Sequence, residues 1–453
     1  MKIGLLDHMG YGNLGDAATQ EALIANIKRR LPEANIVGFS LNPDDTRKRH
    51  NILCYSITHW HPGLNKAGQT RLDGRNSRVR LKSILKKIPI FSAMALRGRN
   101  LVRELVHLGR SFKVLRSLDC LIIAGGGQLC ELWRGPWSHP YNVFKFALLT
   151  KLAKKKLVFL NVGAGPLEST LSRMFVRCSV CLADYASFRD SESQALIRQL
   201  GVKHQTYVFP DSAYALNISD YETGNAVGAS RPLVGLNPIG FCDPRIWPEK
   251  DAHAYSCYLD NLAAFSLWLL KLNYRLRIFS AEASVDVYAL EDLKRRLING
   301  LSPADINELC APPSENVEDL LSDMSGFDFV VTSKFHGVVF SHLLAKPVIA
   351  LSYHKKIDDL MRTVGHSQYC LNIESFDDGC LAATFTTLVK DAQELKAKFR
   401  RTAGSYSAEL KAQFDELFVL KNLQRYSPQL GREPSSVVRP GEHEVAALTG
   451  QRK

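Results

Sequence analysis

The chain contains Lys2-Ile-Gly-Leu-Leu-Asp7, then Gly10-Tyr-Gly-Asn-Leu-Gly-Asp16, then an apolar periodicity of helical spacing from Ala17 to Leu31, where Pro32 ends it. The first run predicts a buried strand, the glycines predict a turn, and the periodicity predicts a helix. A strand that leads through a glycine turn into a helix begins a βαβ unit with parallel strands. The stretch therefore predicts an α/β fold with a doubly wound sheet.

The same order recurs along the chain. Further strands are predicted at Ile36–Leu41, Cys120–Ala124, Val158–Val162, Thr206–Phe209, Leu233–Asn237, Arg275–Ser280, Phe327–Thr332 and Pro347–Leu351. They predict an N-terminal Rossmann-like domain (1–216) and a C-terminal one (232–390), joined by a polar linker and followed by C-terminal helices (391–426) and a disordered tail (427–453). Two such domains in tandem predict a GT-B-like arrangement, with ligands in the cleft between them.

The charge of the chain is concentrated in one segment. The 453 residues carry a net charge of +13, and residues 66–116 hold fourteen Lys and Arg against two acids, which is twelve of the thirteen excess charges. An anionic partner is expected. This basic insert either docks the protein on an anionic membrane that carries a lipid-linked glycan or forms a solvated charged surface. Nucleic acid is disfavoured as a partner because the segment lacks interleaved aromatic residues.

Targeting and metal signals are weak. No signal peptide is visible, and no apolar run is long enough to cross a bilayer. The ten cysteines are scattered, and the single CxxC, Cys178 to Cys181, lacks a second pair, so a buried reduced pair is expected rather than zinc. We expect a cytoplasmic protein with no metal and no cofactor, which would be peripheral on the inner membrane face if the basic insert docks there.

Three glycine turns follow predicted strands at one edge of the first sheet. Backbone N–H groups and close backbone approach in such turns suit an anion or a sugar hydroxyl. The first turn alone is equally consistent with a tight structural turn in which Asp16 caps the helix. As a set, the turns predict the lining of the cleft. Their candidate residues are Gly12, Asn13, Gly15, Asp16, Gly126, Gly127, Gly163 and Gly165.

Charged candidates follow other strands. Arg189 stands just before a helix that Asp190 or Ser191 could cap, where its guanidinium could hold a carboxylate or phosphate; the alternative is a surface Arg–Asp feature. His336 lies at a strand-to-helix turn and is the candidate general acid, with Lys334 beside it to neutralise a phosphate. Lys356 either adds a cation at the same edge or belongs to a solvated turn.

Taken in order, these segments resemble the motifs of the polysaccharide pyruvyl transferase family over about residues 10 to 365. The matching elements are Gly-Asn-Leu-Gly-Asp at 12–16, the triple glycine at 125–127, Gly-Ala-Gly-Pro at 163–166, Arg-Asp-Ser at 189–191, Asp-Ser-Ala-Tyr at 211–214, Lys-Phe-His-Gly at 334–337 and Tyr-x-x-Lys at 353–356. The resemblance implies a GT-B-like transferase that uses phosphoenolpyruvate as co-substrate and forms a pyruvate ketal across two hydroxyls of a glycan.

The same resemblance implies roles for individual residues. His336 would protonate the enol methylene of phosphoenolpyruvate, Arg189 and Lys334 would hold its carboxylate and phosphate, and His139 is a further candidate for donor contact. The chain departs from the family at Lys334, where the family has an arginine, and lysine lacks the bidentate fork. Ser212 and Tyr214 replace a proline and a phenylalanine.

Two other functions stay open on the sequence. A nucleotide-sugar glycosyltransferase could use the same fold and would release a nucleoside diphosphate. A non-catalytic glycan-binding protein could have lost donor binding through Lys334.

Overall fold

The computed structural model describes residues 1–7, 9, 10, 12–59, 89–131, 135–221, 231–298, 301, 309 and 314–419, without the side chains of 89–100, 283, 284 and 419. The predicted tail at 427–453 lies outside these residues, as do positions 66–88 of the basic insert and positions 222–230 of the linker.

The N-terminal sheet has seven parallel strands in the order β3-β2-β1-β4-β5-β6-β7. Its central strands are near-continuous apolar runs, as expected where helices cover both faces of a sheet. The strands are β1 (Lys2–Leu6), β2 (Asn35–Ser40), β3 (Leu53–Ser56), β4 (Cys120–Ala124), β5 (Lys156–Val162), β6 (Tyr185–Phe188) and β7 (Tyr207–Val208). The helices are α1 (Leu14–Arg30), α2 (Pro43–His50), α3 (Pro89–Arg116), α4 (His139–Leu152), α5 (Thr170–Cys181) and α6 (Ser191–Gln199).

The C-terminal sheet has five parallel strands in the order β12-β11-β10-β8-β9. The strands are β8 (Leu233–Asn237), β9 (Arg275–Ile278), β10 (Phe329–Thr332), β11 (Val348–Ser352) and β12 (Cys370–Asn372). The helices are α7 (Ala252–Lys271), α8 (Ala283–Leu297), α9 (Val317–Ser325), α10 (Phe335–Leu343), α11 (Lys355–Thr363), α12 (Asp378–Lys390) and α13 (Ala392–Phe414). Two parallel sheets with covering helices confirm the predicted α/β class.

Some elements differ from the sequence prediction. Strand β3 was not predicted, because it has only four residues and half of them face solvent. Residues 89–116 form helix α3, which connects β3 to β4, so the described part of the basic insert belongs to the Rossmann-like fold itself. Cys178 and Cys181 are free thiols, but Cys181 is exposed and the pair is not buried.

Helix α13 connects the two domains. Near its start, Phe399 packs against the rings of His342 and His366 in the C-terminal domain. Further along, Tyr406 meets Tyr214 of the N-terminal domain edge to face, with ring centroids 5.0 Å apart. A π-helical turn, Asp415–Val419, follows it. One continuous buried apolar cluster therefore extends through both domains.

The end of α13 is anchored by a buried amide. The Gln413 side chain is 2% exposed, and its Nε2 lies 2.9–3.0 Å from Asn161 Oδ1, Tyr185 OH and Ser187 Oγ on strands β5 and β6. Arg30 at the end of α1 adds an ion pair to Asp415 at 2.6 Å. Among the helices that the structure describes, none has the length and apolar character needed to span a membrane.

We expect Gln413→Met to lower the free energy of unfolding by about 1–3 kcal/mol, because it leaves buried polar groups without a partner. Urea unfolding followed by circular dichroism measures the change. Lys411→Met, an exposed position in the same helix, is the matched control and should change stability by less than about 0.5 kcal/mol. Equal effects of the two substitutions would contradict the anchoring role.

Candidate active site

The carboxyl ends of the strands in one sheet face the carboxyl ends of the strands in the other. The Leu14 N–H, at the start of α1, donates a hydrogen bond of 2.8 Å to Ala281 O, in the turn after β9. The Arg189 guanidinium, in the turn after β6, lies 4.4 Å from the centre of the Phe335 ring at the start of α10. The turns that carry the candidate residues therefore meet across the cleft.

Gly15 and His336 are in direct contact between the domains. An ideal Cβ on Gly15 would overlap the imidazole ring of His336, so no larger residue fits without displacing the ring. The Gly15 N–H is taken by the Asn13 side chain, whose Oδ1 accepts from Gly15 N at 3.0 Å and from Asp16 N at 3.2 Å. Asn13 is therefore the N-cap of α1, and the alternative that Asp16 caps this helix is wrong.

The Asp16 carboxylate is consequently free to act in the cleft. It lies beside the triple glycine, since a Cβ on Gly126 would be 3.0 Å from Asp16 Oδ1. Burial raises the pKa of Asp16 to about 6, and the charge of Glu282 across the cleft adds to the rise, while Lys356 and Arg189 oppose it. Asp16 can therefore exchange a proton close to neutral pH.

Arg189 is a buried cation with unused donors. Its side chain is 8% exposed, and its nearest carboxylate atoms are Asp190 Oδ2 at 3.4 Å and Asp211 Oδ2 at 3.6 Å. A Cβ on Gly163 would come within 2.8 Å of Arg189 Nε, which explains the glycine there. Within the described residues the guanidinium makes no hydrogen bond, so its donors can bind a ligand. Asp190 caps α6 through Ser193 N, as predicted.

His336 is buried, and its imidazole is neutral at neutral pH. Its Nε2 lies 3.9 Å from Asp211 Oδ1 and has no hydrogen-bond partner among the described residues. Burial lowers the pKa of His336 to about 4, Asp211 opposes this, and Arg189, Lys356 and Lys334 act in the same direction as burial. The imidazole is thus a proton acceptor at neutral pH until a negative charge enters the site.

The Lys334 ammonium is paired with carboxylates, which the sequence did not predict. Its Nζ lies 2.8 Å from Glu282 Oε2 and 3.1 Å from Asp286 Oδ1, both at the start of α8. Burial alone would lower the pKa of Lys334, but Asp286 and Glu282 raise it above its usual value. The ammonium is therefore charged but engaged by two carboxylates, and its predicted contact with a donor phosphate stays a prediction.

Lys356 is the other candidate lysine at the cleft. It is half-buried near the start of α11, and its ammonium makes no hydrogen bond or ion pair with any residue in the described parts of the chain. Its charge lowers the pKa values of Asp16, His336 and His354. Lys356 and Arg189 are thus the two cations that this site offers to an anion.

His354 also belongs to this cluster, although it was not predicted as a site residue. Its Nδ1 accepts from Lys356 N at 3.2 Å and caps α11. Burial lowers the pKa of His354 to about 4, with Lys356 and Arg189 contributing. Its position inside the Tyr-x-x-Lys motif, between Tyr353 and Lys356, is the sequence feature that could have identified it.

His139 lies one layer behind the cleft. Its Nε2 is 3.1 Å from Gln128 Oε1, and Gln128 Nε2 donates to Asp7 O at 2.8 Å. Burial lowers the pKa of His139 to about 4. His139 therefore holds the turns after β1 and β4 in place through Gln128, and its predicted donor contact stays a prediction.

The remaining glycines shape the turns. Gly163 N donates to Gly126 O at 2.9 Å, and Gly165 N donates to Leu129 O at 2.8 Å, which joins the turns after β4 and β5. Gly12 and Gly165 have positive φ angles of 74° and 91°, and Gly127 is exposed at the surface of its turn. In the part of the chain that the structure describes, no cluster of His, Cys, Asp and Glu is arranged to hold a metal ion.

Comparison with known proteins gives a family match. The model of the family described as polysaccharide pyruvyl transferase matches residues 13–355. The amylovoran biosynthesis protein AmsJ of Erwinia amylovora is 18% identical over 422 residues, which cover 88% of this chain and 95% of AmsJ.

Solved structures share the fold at low identity. A putative UDP-N-acetylglucosamine 2-epimerase from Listeria monocytogenes superposes with a TM-score of 0.56 at 12% identity, covering 96% of this chain and 99% of that one. A glycosyltransferase from Rickettsia africae superposes with a TM-score of 0.54 at 11% identity, covering 94% and 99%. These similarities show the fold alone, and they confirm the predicted GT-B-like arrangement.

The contact between Gly15 and His336 can be tested by a double-mutant cycle. We expect Gly15→Ala to lower the melting temperature, because its methyl group displaces the imidazole. The decrease should be smaller in a His336→Ala background, which corresponds to a coupling free energy of about 1–3 kcal/mol between the two positions. Gly404→Ala, at a helical position with open space around it, is the control and should stabilise slightly. Additive effects of the two site substitutions would refute the contact.

The Asp16 carboxylate gives a pH-dependent prediction. Because its folded-state pKa is raised to about 6, its ionisation costs stability, and the cost appears as pH rises from about 4 through 6. Asp16→Asn should therefore raise the melting temperature at pH 7.5, by roughly 2–4 °C, and leave it unchanged near pH 4. Calorimetric melting at both pH values measures this, and the same shift at both would contradict it.

Proposed function

The chain belongs to the polysaccharide pyruvyl transferase family, and we propose that it transfers a pyruvyl group from phosphoenolpyruvate to a sugar of a polysaccharide or lipid-linked glycan, forming a ketal across two hydroxyls. The observation that carries the proposal is the cleft cluster, in which two cations with unused donors, Arg189 and Lys356, act on one buried neutral histidine, His336. Such a cluster suits a small, multiply charged anion that must receive a proton.

The donor subsite follows from the two cations. Phosphoenolpyruvate carries a carboxylate and a phosphate, and the Arg189 fork can bind either one through two parallel hydrogen bonds. Lys356 supplies a point charge for the other. Lys334 acts indirectly in this arrangement, because its ammonium holds Glu282 and Asp286 at the rim of the site.

Donor binding would also prepare the proton. Burial and the surrounding cations lower the pKa of His336 and keep it neutral. The negative charge of a bound donor offsets those cations and raises the pKa of the imidazole, so that it enters the reaction as an imidazolium. His336 then gives this proton to the methylene carbon of the enol, and the adjacent carbon takes on oxocarbenium character.

The remaining steps account for every proton. The first sugar hydroxyl adds to the oxocarbenium carbon and gives up its proton, for which Asp16, with a pKa of about 6, is the acceptor. The second hydroxyl replaces the phosphate at the same carbon. Of the two hydroxyl protons, one restores the proton that His336 gave to the new methyl group, and the other leaves with the phosphate. The products are the ketal and inorganic phosphate.

Two aromatic rings beside this cluster would form the surface that binds the acceptor. The half-buried ring of Tyr353 is next to His354, with ring centroids 6.2 Å apart, and the half-buried ring of Trp247 meets Tyr353 edge to face at 5.5 Å. Aromatic rings of this kind combine an apolar body with a polar tip at a partly wetted site. They suit the mixed apolar and hydroxylated faces of a sugar.

The experiment is to incubate the purified protein with phosphoenolpyruvate and a panel of bacterial glycans, and to measure phosphate release together with pyruvate bound to the glycan. We expect turnover that falls about 10²–10⁴-fold in His336→Asn, which loses the acid. Release of nucleoside diphosphate from a nucleotide sugar instead would reject the proposal in favour of glycosyl transfer. Glycan binding with no turnover would favour the non-catalytic alternative.

A matched pair of lysines isolates the donor subsite. Lys356→Met should weaken binding of phosphoenolpyruvate about ten- to a hundredfold, since a hydrogen-bonded charge is lost. Lys355→Met should leave binding nearly unchanged, because the Lys355 side chain is 71% exposed and lies 3.7 Å from Asp359 Oδ2 at the surface. Calorimetric titration of each variant measures both, and equal losses would place the donor elsewhere.

A further inference from the structure

Helix α3 presents an uncovered row of apolar side chains. Leu101, Val102, Leu105 and Val106 are exposed by 62, 60, 57 and 47%. Their spacing places them on one side of the helix, because positions i, i+1, i+4 and i+5 face the same way. We call these four residues the apolar stripe. Contiguous exposed apolar groups of this kind mark a site of contact with another molecule.

The same side of α3 becomes basic further along. Gly109, Lys113 and Arg116 continue the stripe at helical spacing and are exposed, and Arg103 and Arg110 are exposed beside it. An amphipathic helix with apolar and basic groups on its outer side is typical of proteins that lie on a membrane surface.

The acid of this helix faces away from the stripe. Glu104 Oε1 accepts from Tyr141 OH and from Lys145 Nζ, each at 3.0 Å, and Glu104 Oε2 lies 2.5 Å from His59 Nδ1. Its charge is thus neutralised against α4. Over residues 101–116, the exposed side of α3 therefore carries cations and apolar groups and no acid.

The apolar stripe also lies on the cleft side of the domain. Helix α3 ends just before β4 begins, so its last residues are near the amino ends of the strands. Its earlier residues are consequently nearer the carboxyl ends, where the active-site turns lie. The contact of Glu104 with Tyr141 and Lys145 in the first half of α4, the helix that follows β4, agrees with this direction.

We propose that the apolar stripe, Lys113 and Arg116 form a docking surface for an anionic lipid bilayer. The apolar side chains enter the headgroup boundary and the cations face lipid phosphates. The inference stands apart from the proposed chemistry, and it brings the opening of the cleft next to the membrane, where a lipid-linked acceptor would be presented.

Charge excludes two other occupants. Over residues 101–116, α3 exposes the cations Arg103, Arg110, Lys113 and Arg116, while its single acid, Glu104, is turned toward α4, so a second copy of this surface would repel the first. Residues 420–453 carry six Lys and Arg against three Glu, so the chain's own C-terminal segment is also of the wrong sign. An anionic bilayer complements both the cations and the apolar stripe.

The test is flotation of the full chain with vesicles of phosphatidylcholine alone and with added phosphatidylglycerol. We expect binding only with the anionic lipid, weakened by salt. Leu101→Glu/Leu105→Glu and Lys113→Glu/Arg116→Glu should each reduce it at least about tenfold. Leu272→Glu/Val287→Glu, at residues exposed by 51 and 43% in the C-terminal domain, is the matched control and should bind as wild type.

Melting temperatures of all variants establish that they fold. Binding that does not depend on anionic lipid, or that the control variant loses as much as the stripe variants, would overturn the proposal. Self-association in light scattering that Leu101→Glu/Leu105→Glu abolishes would overturn it as well, because the surface would then join two copies of the chain.

Discussion

The contact of the His336 ring with the bare Cα of Gly15 sets the distance between the two domains. Because an imidazole fills the space that any side chain at position 15 would need, the turn after β1 and the turn after β10 must meet at van der Waals distance. Arg189 then reaches Phe335, and Leu14 reaches Ala281. The site therefore forms only where the two domains meet, because its acids, cations and imidazole come from both domains and neither domain contains the cluster alone.

Close apposition also explains the electrostatics of the cleft. Burial and the charge of Glu282 in the opposite domain raise the pKa of Asp16. Burial and cations from both domains lower the pKa of His336. Both shifts favour the neutral form of the side chain concerned. An incoming anion finds cations whose donors are unused and two groups whose protonation can respond to its charge.

Local patterns predicted the fold and named most of the residues that the structure brings together at the cleft, because strand–turn–helix order and glycine turns are properties of short segments. They did not predict the partners that only the folded chain brings together. Lys334 was expected to bind donor because Glu282 and Asp286, about fifty residues earlier, give no sign in sequence that they face it. His139 follows the triple glycine in sequence, yet its ring turns to Gln128. The basic insert looked like an addition to the fold, whereas its described part is a crossover helix whose single acid is turned inward.

The chain crosses between the domains in two neighbouring places. The first crossing follows the short helix Ser212–Ala215, and the second is α13, whose Tyr406 packs on Tyr214 in that same short helix. These two adjacent connections hold the domains together along one line, so a rotation of one domain against the other would pivot there. The part of the cleft furthest from the two connections would then open most for a given rotation.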